Sequence, residues 1–133
     1  MKKRVLMLVV MSIILLFGFS YIPQKVFNIS PTNVSKIIVF NGTNGEEIVI
    51  VDRVHIETIT KNLNDVTFQK GKPSIGYLGY TFRMTIYDQK DNEMEKFIIN
   101  SNDMLRYKGF FYMASDDEIE YEYINNLFEK GLE

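Results

Sequence analysis

The chain opens on a segment whose hydrophobicity has no polar side. Residues 5–22 carry no charge and are interrupted only by Ser12, Gly18 and Ser20, directly after the basic start Met1-Lys2-Lys3-Arg4. A helix that packs on a globular core keeps a polar stripe, so an all-round apolar run behind clustered cations predicts an export signal or a membrane anchor. Residues 5–19 reach the upper length of a cleavable signal, and residues 5–22 the lower length of a spanning helix. Gly18 and Ser20 supply the small residues that cleavage near Ser20 requires, but Phe17, Phe19 and Tyr21 crowd that site, which favours retention. A retained segment leaves its basic end in the cytoplasm and delivers the rest of the chain outside.

After the apolar segment the pattern changes. Residues 23–34 contain Pro23, Pro31 and several Asn and Ser without periodicity, which predicts a stalk. Ten such residues at no more than about 3.5 Å each keep the following domain within about 35 Å of the bilayer. Residues 36–40 and 47–51 are β-branched runs joined by Asn41-Gly42-Thr43-Asn44-Gly45, whose two Asn-Gly pairs suit positive φ, so a hairpin is expected. Apolar side chains alternate onto both faces of each run, which predicts a hairpin covered on both sides. Asp52 is placed to cap a helix over 53–62, where Ile56, Ile59 and Leu63 form one stripe.

The clearest strand is 80–87, in which Tyr80, Phe82, Met84 and Ile86 alternate with Thr81, Arg83, Thr85 and Tyr87. The turn residues 88–92 lead into strands at 94–100, 104–108 and 110–114, an antiparallel meander. Ser115-Asp116-Asp117-Glu118 has the spacing of a capping box, which predicts a helix from there to Lys130 with a stop at Gly131. The fold class is therefore α+β: an N-terminal export or anchor helix (1–22), a stalk (23–34), and an extracytoplasmic domain (35–133) ordered hairpin, amphipathic helix, antiparallel meander and C-terminal helix.

Composition narrows the function. The basic start takes three of the fifteen Lys and Arg, while all seventeen acidic residues lie beyond position 45, so the chain after residue 22 carries a net charge of −5. Phosphate backbones and anionic lipid surfaces are bound by clustered cations, and Lys61, Lys70, Lys72 and Arg83 are scattered along the sequence, so a nucleic-acid partner is disfavoured. The absence of cysteine removes disulfides, thiolate metal sites, a cysteine nucleophile and lipid attachment through an N-terminal cysteine. Small exported eukaryotic domains commonly use disulfides, so the composition points to a bacterial exported protein.

No motif specifies catalysis, and no cofactor or metal is implied. His55 is the only histidine and has no second imidazole for zinc, and the acids at 116–122 lack the alternating ligands and glycine of a calcium loop. Glu120 falls in one i,i+4 row with Ile124 and Phe128, which predicts partial burial, with Arg83 or Arg106 as a structural partner or a raised pKa suited to acid catalysis. Residues 70–79 hold three glycines but neither phosphate-binding spacing. That segment carries Ile75, Tyr77 and Leu78 between two strands, so it reads either as a long hairpin connection or as a recognition loop. Tyr107, Phe110, Phe111 and Tyr112 form a second aromatic group whose consecutive members point to opposite faces. One set needs its own cover, from the C-terminal helix or from a ligand or partner that meets Phe111.

A basic start, one export helix, a short stalk and an α+β domain with Asn-Gly-x-Asn-Gly after its first strand resemble the small membrane-anchored or secreted extracytoplasmic proteins of low-GC Gram-positive bacteria. The resemblance is one of layout. It implies an envelope location and no particular activity. The expectation is a membrane-tethered binding or accessory module, more in keeping with the sequence than an enzyme, engaging an envelope protein or peptide through Ile75, Tyr77, Leu78 and Phe111. Two alternatives stay open: a small cell-wall hydrolase using Glu120, and an extracellular ligand sensor that acts through a partner. The oligomeric state is left open.

Overall fold

A computed structural model describes residues 1–131. Helix α1 (Lys2–Ser20) buries none of its residues against the remainder of the chain, as its all-round apolar sequence requires. Beyond it lie strand β1 (Gln24–Lys25), a 3-10 turn (Pro31–Asn33), the hairpin β2 (Val34–Asn41) and β3 (Glu47–Ile50), helix α2 (Arg53–Asp65), strand β4 (Thr67–Pro73), the meander β5 (Phe82–Asp88), β6 (Glu93–Ile99), β7 (Met104–Tyr107) and β8 (Phe110–Ala114), and helix α3 (Tyr121–Lys130). All eight strands join one antiparallel sheet in the order β1-β4-β8-β7-β6-β5-β2-β3.

The sheet buries one face. Ile37, Val39, Phe82, Met84, Ile86, Phe97, Ile99 and Leu105 project into a core closed by Ile56, Ile59 and Leu63 of α2 and by Ile124 and Leu127 of α3. Asp52 caps α2 by accepting from the amides of Val54 and His55 at 2.9 and 3.2 Å. About 20 Å of helix then carries the chain over the sheet, from edge strand β3 to β4 beside the opposite edge. His55 Nδ1 and Tyr123 Oη, 2.5 Å apart, join the two covering helices.

Four expectations are corrected. Residues 23–34 are not a free stalk. β1 pairs with β4, Phe27 is buried among Phe68, Phe97 and Tyr107, and the Asn64 side chain accepts from the Ile29 amide and donates to the Ile29 carbonyl at 2.8 and 2.7 Å. The hairpin is covered on one side only: Ile37, Val39 and Ile50 are buried, whereas Val49 is exposed and Ile38 and Phe40 are half-buried. Residues 70–73, expected in the connection, belong instead to a strand that runs from Thr67 to Pro73. Gly71 sits where a Cβ would lie 3.3 Å from the Phe111 carbonyl, and Pro73 falls at the end of the ladder, where a missing donor is tolerated.

The capping box does not form, and α3 starts at Tyr121 instead of Ser115. Ser115 Oγ donates to the Thr67 carbonyl, the Asp116 carboxylate accepts from the Thr67 amide, and the Asn62 side chain bonds both the Glu118 carbonyl and the Glu120 amide. These ties to β4 and α2 hold residues 115–120 out of the helix, and Ile119 is buried in the core there.

Candidate functional site

The second face of the sheet has no helix over it, and the register decides what it displays. Side chains alternate along each strand, so residues aligned across neighbouring strands share a face. The aligned set Glu47, Phe40, Arg83, Ile98, Arg106 and Phe111 runs across six strands from β3 to β8. The adjoining row contributes Val49, Ile38, Thr85 and Lys96. Two cations, Arg83 and Arg106, therefore stand on either side of Ile98 between the aromatics Phe40 and Phe111 along one line. Arg83 lies over the Phe40 ring at 4.8 Å and over the Tyr80 ring at 5.9 Å, contacts that favour a cation on the ring face.

The connection between β4 and β5 folds back onto this face. Arg106 is 7% exposed, and its guanidinium donates to the carbonyls of Tyr77 and Gly79 at 2.5 and 2.6 Å. The Tyr77 ring meets Phe111 edge-on at 5.1 Å, and Lys72 Nζ donates to Tyr77 Oη at 2.8 Å. Ser74 N–H donates to the Gly109 carbonyl at 2.8 Å, fixing the near end of the loop. At its far end, Gly42 N–H donates to the Thr81 carbonyl at 2.8 Å. The loop is thus held by side chains and single backbone bonds instead of a ladder. Ile75 and Leu78 nevertheless stand 86% and 88% exposed, on backbone that is pinned on both sides.

Two hollows lie on the uncovered face. One of about 210 Å³ is bordered by Ser74, Arg83, Lys96, Ile98, Arg106, Lys108 and Gly109, among others. Another of about 430 Å³ is bordered by Ile38, Phe40, Glu47, Arg83, Thr85, Tyr87 and Lys96. Arg83 and Lys96 belong to both, so the hollows form one trough with two cations at its divide. Among the described residues the one ion pair within 4.0 Å is Lys36–Asp91, at 3.2 Å. Among the described residues the trough cations consequently have no carboxylate at ion-pair distance.

The expected site residues separate. Ile75, Tyr77 and Leu78 share the loop that begins at Ser74 on the border of the smaller hollow; Tyr77, half exposed, is held by Arg106 and Phe111, while Ile75 and Leu78 face solvent. Phe111 is buried beneath Tyr77, so the loop of its own chain, and not α3, packs over it. The rings of α3 instead serve the core, where Tyr121 and Phe128 pack on Phe82 at 5.2 and 5.5 Å. Glu120 is exposed, not partly buried, because it precedes the first turn of α3, and it borders a shallow depression with Asp117, Glu118 and Glu122. Neither Arg83 nor Arg106 reaches it. Among the described residues no group of three or more His, Asp or Glu is arranged to hold a metal ion.

Tyr107 supplies the other notable electrostatic feature, on the covered face. Burial pushes its phenol well above its ordinary value, and a hydrogen bond from its hydroxyl to Glu95 adds to the shift. It fills the core beside Phe27 and Phe97 as a neutral donor.

No protein-family model, curated protein or solved structure matches the chain. Fold and surface define its class directly. It is an α+β domain behind an N-terminal apolar helix of a length and composition shared by signal peptides and single-pass anchors.

Proposed function

We propose that the chain is a membrane-tethered extracytoplasmic binding module of a bacterial envelope, and that its uncovered sheet face with the loop of residues 74–81 engages a peptide segment of an envelope protein. The observation that carries this reading is the exposure of Ile75 and Leu78 on pinned backbone. A loop that merely connects strands gains nothing by holding two large apolar side chains in water, whereas an ordered apolar rim loses little conformational entropy when a partner covers it. The adjoining cations select the partner's chemistry. Arg83, Lys96 and Lys108 favour a segment that combines apolar side chains with acidic groups.

Retention of α1 fits this role because Tyr21, just past the helix, is tied to the domain. Gln69 donates to its carbonyl, and Lys70 Nζ lies 5.2 Å from its ring centre. The Glu120 alternative gains no support from geometry, since an exposed carboxylate among other carboxylates lacks the apolar surroundings that a general acid draws on.

A photoreactive residue at Tyr77 tests the proposal in intact cells, with the same group at exposed Glu57 on α2 as the control. The expected result is one discrete adduct from position 77 that is absent from position 57 and is lost in the Arg83→Gln/Lys96→Gln variant. Equal labelling from both positions, or none from either, refutes the assignment of the face.

A further inference from the structure

We infer that the smaller hollow is a carboxylate subsite, in which Arg83, Lys96 and Arg106 receive one acidic group of the bound segment; this rests on reading the uncovered face as the binding face. Three observations converge on it. Arg83 and Arg106 flank Ile98 in a single cross-strand row, which sets their backbones about 10 Å apart, a gap that two long side chains can close around one oxyanion. Lys96 enters from the adjoining row and Lys108 stands on the border, so four cations border a space of about 210 Å³ with no carboxylate within ion-pair distance among the described residues. Arg106 is more than nine-tenths buried, and its Nε–H has no hydrogen-bond partner although both terminal nitrogens do.

That last point separates a site from a crowded surface. Exposed cations are solvated and repel one another weakly, whereas a buried guanidinium with an unused donor beside three more positive groups is a standing electrostatic imbalance. An anion in the hollow relieves the repulsion. It also offers the Arg106 Nε–H an acceptor after a small shift of the loop that Arg106 itself holds. Carboxylate is favoured over phosphate by what lies next to the hollow. Ile38 and Phe40 of the adjoining hollow offer apolar contact, and the exposed Ile75 directly follows Ser74 at the border, which suits an acidic residue among apolar ones, whereas a phosphate polymer repeats its charge and leaves that flank unused.

The full chain in neutral-detergent micelles, labelled with ¹⁵N in its arginines, gives the test. Three probes are titrated at constant ionic strength: N-acetyl-leucine, its uncharged amide, and inorganic phosphate. The side-chain Nε–H signals of Arg83 and Arg106 are expected to shift saturably with N-acetyl-leucine and not with the amide, with phosphate binding at least threefold more weakly. Arg83→Gln/Lys96→Gln should weaken the response tenfold or more while the backbone spectrum is retained, and Lys61→Gln on α2 should leave it unchanged. Shifts that are equal for acid and amide, or that never saturate, overturn the subsite, and tighter binding of phosphate overturns the choice of carboxylate. A failed titration alongside a persistent Tyr77 adduct removes the subsite alone, whereas loss of the adduct removes the binding face.

Discussion

Replacing Arg106 by Met keeps most of the stem and deletes the clasp that holds residues 74–81 on the sheet. Two charge-assisted bonds to the Tyr77 and Gly79 carbonyls disappear, each worth about 1.5–3 kcal/mol. Both acceptors lie on a surface loop and regain water once released, so the lower figure applies and the loop loses about 3 kcal/mol of closure. The global balance is smaller. Arg106 Nε is buried without a partner, and removing it recovers about 1–2 kcal/mol. Overall stability should therefore fall by about 1–2 kcal/mol, while the opening equilibrium of the loop shifts about 100-fold. Native-state cleavage by chymotrypsin after Tyr77 or Leu78 reads the second quantity when reclosing outpaces cleavage, and urea unfolding reads the first. The expected outcome is cleavage accelerated roughly 30- to 100-fold with only a modest drop in the urea midpoint. Cleavage faster by less than threefold, together with a stability loss of the full 3 kcal/mol, would show that Arg106 braces the whole sheet and does not clasp the loop.

Four other substitutions or conditions probe the frame. Phe82→Ala removes a fully buried ring that stacks on Phe128, and should cost about 3–5 kcal/mol in urea unfolding, against under about 0.5 kcal/mol for exposed Ile75→Ala. Gly42→Ala would set a Cβ 2.7 Å from both a ring carbon and the carbonyl oxygen of Tyr80, so a loss of about 1–3 kcal/mol is expected that Tyr80→Ala relieves only in part, because the carbonyl stays. Hydrogen bonds from backbone amides hold the carboxyls of Asp88 and Asp116 below their ordinary 3.8; their stabilisation is present above that pH and is lost as pH falls through the lowered values, so Asp88→Asn and Asp116→Asn should flatten the acid limb of a stability profile. Burial raises Tyr107, so its contribution is complete below about pH 10 and declines as pH rises beyond that, a decline that Tyr107→Phe should remove.

Periodicity carried the parts of this fold in which one face is buried and the other wet. The alternation at 80–87 and the stripe Ile56, Ile59, Leu63 placed β5 and α2 because burial alone shapes those patterns, although β5 starts at Phe82 and leaves Tyr80 in the preceding loop. β4 was hidden by its residues: Gly71, two lysines and Pro73 read as a loop, and the strand exists because β1 and β8 pair with it from both sides. Tertiary bonds likewise override the local signal at Ser115, where Thr67 offers its carbonyl before a first helical turn can use the hydroxyl. The loop residues Ile75, Tyr77 and Leu78 were legible as apolar side chains in a glycine-rich connection. Arg83, Lys96 and Arg106 were not legible as a group, since their neighbourhood is a product of register across three strands and leaves no trace in sequence spacing.

The short passage from helix to sheet has a consequence for how binding strength should be judged. Only Tyr21, Ile22 and Pro23 separate α1 from β1, a reach of about 10 Å, and β1 is itself laced into the sheet. With α1 in a bilayer, the trough sweeps a layer only a few nanometres deep. A partner in the same membrane meets it there at an effective concentration that reaches the millimolar range, whereas a freely diffusing one gains nothing from the tether. Weak pairwise affinity is then enough for high occupancy between two membrane-held chains, and the same contact measured with both partners in free solution would understate it by orders of magnitude.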